Sequence, residues 1–79
     1  MKKWNLRMLR KHDAEKDDCA VRELEMVVDD ALTSPGYRPQ FWTDVELYGV
    51  DEAILYVRNG NHGDADAIRS AWITIRNRL

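Results

Sequence analysis

The apolar positions of this chain change their spacing several times, and each change marks an element. Between residues 3 and 10, Trp4, Leu6 and Met8 alternate with Asn5, Arg7 and Leu9, the period of a half-buried strand. Lys11 to Asp13 break that alternation. Ala20, Leu24, Val27, Val28 and Ala31 then recur at i, i+4, i+7, i+8 and i+11, one stripe of a core-facing helix. Acidic residues crowd its approach, with Asp13 or Asp17 as the N-cap. Thr33-Ser34-Pro35-Gly36 ends it, because proline cannot continue a helix.

From Arg38 to Tyr48 the period returns to two. Phe41, Val45 and Leu47 face one side and Trp42, Asp44, Glu46 and Tyr48 the other, which predicts a strand solvated on one face. Pro39 at its start suits an edge. Ile54-Leu55-Tyr56-Val57, followed by Asn59-Gly60, predicts a further strand paired to it through a hairpin at Gly49 to Glu52. The same stretch carries a competing pattern, since Val50, Ala53, Ile54 and Val57 also fit one face of a helix ended by Gly60. Ala65, Ile68, Ala71, Trp72, Ile75 and Leu79 then describe an amphipathic helix over residues 64 to 78, capped by Asp64. The predicted fold class is α+β in the order β-α-β-β-α, a three-stranded sheet covered on one face by two helices, in a single domain over residues 1–79.

Composition changes this picture little. With 79 residues, 44% apolar and 33% charged, the chain reads as one small soluble domain, too apolar for disorder. No apolar run reaches the ~20 residues of a membrane span, and the first residues lack the apolar stretch of a signal peptide. One cysteine cannot form an internal disulfide. The expected location is cytoplasmic, with no membrane partner.

Charge is more informative in its distribution than in its net value of −2. Lys2, Lys3, Arg7, Arg10 and Lys11 make the first eleven residues purely basic, residues 12 to 52 are strongly acidic, and Arg58, Arg69, Arg76 and Arg78 return the end to positive. A basic edge and an acidic surface follow, unless the ends pair with the middle and cancel.

Candidate chemistry is sparse. The four glycines have no phosphate-loop or dinucleotide spacing, and the loop Asn59 to Asp64 lacks the leading Asp and closing Glu of a calcium loop. His12, Cys19 and His62, with Asp13, Asp64 and Asp66, have neither the paired cysteines nor the helical His pair of a zinc site. Cys19 is expected to be a small, partly buried core residue whose acidic neighbours oppose a thiolate. The expectation is no catalytic residue, no metal and no cofactor.

Surfaces remain. On the predicted sheet, Trp42, Asp44, Glu46, Tyr48 and Tyr56 share the outer face, aromatics interleaved with acids. Aromatics of that kind anchor protein interfaces, while Asp44 and Glu46 oppose a phosphate backbone. The sequence reading is therefore a non-enzymatic module binding a larger intracellular protein. A nucleic-acid-binding domain using the basic N-terminal strand and Arg69, Arg76 and Arg78 is the alternative, and a homodimer joined through strand edges or the aromatic face is a third reading. In size and dense charge, though through no motif, the chain resembles the small accessory proteins of phages and mobile elements. That resemblance implies a viral inhibitor or modulator acting by stoichiometric binding.

Overall fold

The computed structural model describes residues 3–79, so Lys2 of the basic N-terminal run lies outside it. Five helices follow one another: α1 (Leu6–Lys16), α2 (Ala20–Ala31), α3 (Tyr37–Tyr48), α4 (Val50–Gly60) and α5 (Ala65–Arg76). Among the described residues there is no strand, so the α+β class and its three-stranded sheet are overturned. Only an isolated antiparallel bridge between Leu32 and Gly63 pairs extended backbone there.

The reason is a degeneracy between periods. Phe41 and Val45 share a side whether the chain is a strand or a helix, and both are buried. Leu47 separates the two cases. In a helix it lies opposite Phe41 and Val45, and it is 63% exposed. Leu6 and Leu9, at i and i+3, carry α1 into the core, while Asn5, read as a strand residue, caps it by accepting from the Met8 amide at 2.9 Å. Pro39 lies in the first turn of α3, where no intrahelical donor is lost. In α4 the helical stripe prevails: Val50, Ala53, Ile54 and Val57 are all buried, and their packing outweighs the strand propensity of residues 54 to 57. The terminal helix follows the expected phase, with Ile68, Trp72 and Ile75 buried and Asp64 accepting from the Ala67 amide.

The helices close a ring around one core, the principal contacts running α1 to α2, α2 to α5, α5 to α4, α4 to α3 and α3 back to α1. Elements of 11 or 12 residues are marginal helices in isolation, so the ring is what holds them. One residue, Gly49, joins α3 to α4. Its φ of +97° and ψ of 167° lie in a region open in practice only to glycine. The helices fold back along each other, because Tyr48 meets Tyr56 near this elbow and Tyr37 stacks on His62 at the far end, with centroids 4.1 Å apart. The extended segment before α1 braces the elbow, where the Val50 amide donates to the Trp4 carbonyl at 2.9 Å.

A second crossing fixes α5. The end of α2 and the loop before α5 exchange backbone bonds, Thr33 N–H to the His62 carbonyl at 2.8 Å and Asp64 N–H to the Ala31 carbonyl at 2.9 Å. A Cβ on Gly63 would stand 2.3 Å from the Ala31 oxygen and 2.8 Å from the Leu32 Cα, so glycine is what lets the chains approach. Trp72 fills the centre of the ring, 1% exposed, and its indole donates to Asp51 Oδ1 at 3.1 Å.

Two outcomes are expected. Trp72→Ala costs about 3–5 kcal/mol, whereas Trp72→Phe keeps most of the packing and loses chiefly the bond to Asp51, about 1 kcal/mol. A Trp72→Ala chain that melts like wild type would place the indole outside the core. Gly63→Ala costs about 1–3 kcal/mol through backbone overpacking, while Gly36→Ala, whose Cβ meets only Ser34 Oγ at 3.6 Å, stays within about 0.5 kcal/mol of wild type. Urea denaturation reads both, and equal midpoints for the two glycine variants would refute the crossing.

Candidate partner-binding surface

Folding α3 as a helix divides the five residues expected to share a sheet face. Asp44 and Tyr48, one turn apart, lie on the flank of α3 that faces α4, where Tyr48 meets Tyr56 edge-to-face with centroids 5.8 Å apart. Trp42 and Glu46 lie on the opposite flank. Trp42 is half-buried, packed edge-on against Phe41, and Glu46 borders a depression shared with Leu6, Arg7 and Arg10 of α1. The shared aromatic face is therefore corrected: Asp44, Tyr48 and Tyr56 come together, while Trp42 supports the core and Glu46 faces basic residues.

The surface that does form is centred on the outer side of α4. Leu55 stands at its middle, 44% exposed. Toward α3 lie Glu52, Tyr56 (38% exposed) and Tyr48 (45% exposed), with Asp44 beyond. Burial, reinforced by Glu52, Tyr48 and Asp44, pushes the Tyr56 phenol above its ordinary value. Burial also raises the Asp44 carboxyl, against the opposing pull of His62.

Toward α5 the same surface opens into a cleft of about 240 Å³ lined by Asp51, Ile54, Leu55, Arg58, Arg69 and Arg76. Arg58 pairs with Asp66 and Arg76 approaches Asp51 at 3.8 Å. Among the described residues Arg69 has no ion-pair partner. Ile73, between Arg69 and Arg76 on one stripe of α5, is 39% exposed. The sequence pattern does not expose Glu52 and Leu55, nor the convergence of Arg58 with Arg69 and Arg76, because a hairpin at Gly49 to Glu52 followed by a strand sets α4 and α5 residues apart. The helical stripe Val50-Ala53-Ile54-Val57 held the signal, since it leaves Leu55 and Glu52 outward.

A second cluster joins the end of α1, the start of α2 and the chain end. Asp13 lies inside α1, and its carboxylate accepts from the Ala20 and Val21 amides at 2.9 and 3.1 Å, capping α2 from outside it. Arg78 donates to Asp18 and, at 2.7 Å, to Glu23, and His12 Nε2 lies 3.0 Å from Asp18 Oδ2. His12, Asp13 and Asp18, and separately Asp18, Cys19 and Glu23, bring ligand atoms within 4.8 Å of one another, a convergence that sequence spacing did not reveal. The Arg78 guanidinium already supplies the positive charge these carboxylates balance. Cys19 is exposed, against the expected part-buried core position. Local desolvation and the carboxylates of Glu23 and Asp18 raise its thiol, which disfavours a nucleophilic thiolate. His62, stacked on Tyr37, stands apart from this group.

Arg78, His12 and the Cys19 amide hold the Asp18 carboxyl well below the ordinary carboxylate range. A depressed folded value means the stabilisation is complete above the unfolded value of about 3.9 and is lost as the pH falls below it. Arg78→Gln is therefore expected to destabilise the chain at neutral pH, with the gap to wild type narrowing below pH ~4. Carboxyl-carbon NMR should place the Asp18 midpoint higher in the variant. An unchanged midpoint would remove Arg78 as the cause.

No described helix is long and apolar enough to cross a membrane. The chain matches no family model, no curated protein and no solved structure.

Proposed function

We propose that this chain is a non-enzymatic recognition module that binds protein through the outer face of α4. The observation that carries the reading is the Tyr48–Tyr56 pair, two rings braced against each other at 5.8 Å and both left at the surface beside exposed Leu55. Tyrosines restrained before contact lose little entropy on binding and offer area plus a hydroxyl. Glu52 and Asp44 on one side, and Arg58, Arg69 and Arg76 with Asp51 on the other, supply the polar rim that orients a partner and speeds encounter.

The nucleic-acid reading has weaker support. Of the three arginines it used, Arg78 is committed to Asp18 and Glu23, and Arg76 lies near Asp51. Only Arg69 is left without an acid. Arg38 with Asp29 and Arg58 with Asp66 continue the same cancellation of charge, each between neighbouring helices.

A Tyr48→Ala/Tyr56→Ala chain should fold with nearly the wild-type melting temperature and bind its cellular partner at least about tenfold more weakly, as the loss of interface anchors predicts. Quantitative co-purification from the native cell, wild type against variant, makes the measurement. Equal recovery by both chains would move the binding surface elsewhere. A salt-sensitive gel shift of nucleic acid, lost on Arg69→Ala/Arg76→Ala, would put the nucleic-acid reading first.

A further inference from the structure

We propose that the protein seated on the α4 face is a second copy of this chain, related to the first by a two-fold axis parallel to α4. The inference rests on the reading of that face as a protein-binding surface and names its occupant.

The argument is the lateral order of charge across the face. Successive residues of a helix are turned by 100°, which places Glu52 and Tyr56 toward α3, Leu55 centrally, and Asp51 and Arg58 toward α5. The contacts agree: Tyr56 meets Tyr48 of α3, whereas Asp51 bonds Trp72 and Arg58 pairs with Asp66, both of α5. One side of the apolar strip therefore carries the carboxylates of Glu52 and Asp44, and the other carries Arg69 together with Arg58 and Arg76, which Asp66 and Asp51 partly answer, so that side keeps a net positive charge. A two-fold axis parallel to α4 preserves position along the helix and exchanges the two sides. Acid then meets arginine twice, once in each direction, and Leu55 of one copy meets Leu55 of the other. An axis across α4 would set acid on acid and arginine on arginine. Isologous pairing requires a self-complementary patch, and this face has that pattern by its own charge order. Arg69, without an ion pair among the described residues, gains a carboxylate.

The area sets the strength. Three helices about 17 Å long, packed 8–10 Å apart, present a face smaller than the ~800 Å² per partner of a standard interface, itself roughly 15% of this chain's 5252 Å² surface. The dimer is therefore reversible and weak, and added salt loosens it.

Sedimentation velocity and light scattering over a concentration series test the inference on the full chain. The wild-type mass should rise from 9.2 kDa toward twice that value, and the rise should shrink as salt is added. Arg69→Glu and Glu52→Arg should each weaken association at least about tenfold, and combining them in one chain should restore it to within about threefold of wild type. Circular dichroism melts confirm that the variants fold. A wild-type chain that stays at 9.2 kDa up to about 1 mM, the millimolar limit of weak association, overturns the second copy, and so does a dimer indifferent to both single substitutions. Failure of the double variant to recover overturns the axis. The parent reading is judged separately by the Tyr48→Ala/Tyr56→Ala co-purification, which a monomeric chain can still pass.

Discussion

Trp72 joins the interior of this protein to its candidate binding surface. Its ring is the largest side chain fully enclosed by the helices, and its one polar atom reaches Asp51 in the first turn of α4. With the Arg58–Asp66 and Arg76–Asp51 pairs, that bond marks the height of α5 against α4. Everything on the α5 side of the candidate surface depends on that height, because Arg69 and Arg76 ride on the same helix as the indole. A shift of α5 by one turn would move both about 5.4 Å along α4 and separate them from Arg58 and Leu55.

Glycine makes this arrangement possible at two places, for different reasons. Gly49 turns the chain between α3 and α4 within a single residue through a positive φ. The two helices then lie close enough for Tyr48 and Tyr56 to brace each other. Gly63 turns nothing unusual, but its missing Cβ admits the backbone of Ala31 and Leu32. That crossing holds α5 between α2 and α4, so the arginine cleft depends on a contact at the other end of the helix.

Charge is handled differently in two parts of the surface. Around Asp18, acids and Arg78 answer one another within the chain, and the result is a structural network that ties the last residues to α2. Across α4 an apolar strip separates Glu52 and Asp44 from Arg69, although Arg58 and Arg76 are answered locally by Asp66 and Asp51. Groups that neutralise each other internally have little left for a partner. Groups separated by exposed tyrosine and leucine retain it, which is why the recognition reading rests on α4 and not on the more heavily charged cluster.

The sequence alone determined the two longest helical stripes, α2 and α5, with Leu24, Val28, Ile68, Trp72 and Ile75 on their buried faces. There the apolar spacing holds for three turns and fits no other period. It could not separate helix from strand in α1, α3 and α4. Their helical stripes are short, and residues such as Phe41 and Val45 share a side under either period. The strand propensity of Ile54 to Val57 then favoured the sheet, a local preference worth less than closing a ring of five mutually supporting helices. Of the expected recognition residues, Asp44, Tyr48 and Tyr56 converge, while Trp42 and Glu46 do not. A helix turns each residue by 100° and a strand by 180°, so the wrong period sends every second side chain to the wrong face. Tertiary packing decided the rest: which of two competing patterns α4 follows, and with it the outward Glu52 and Leu55, Arg69 and Arg76 beside them, and Arg78 drawn away to Asp18.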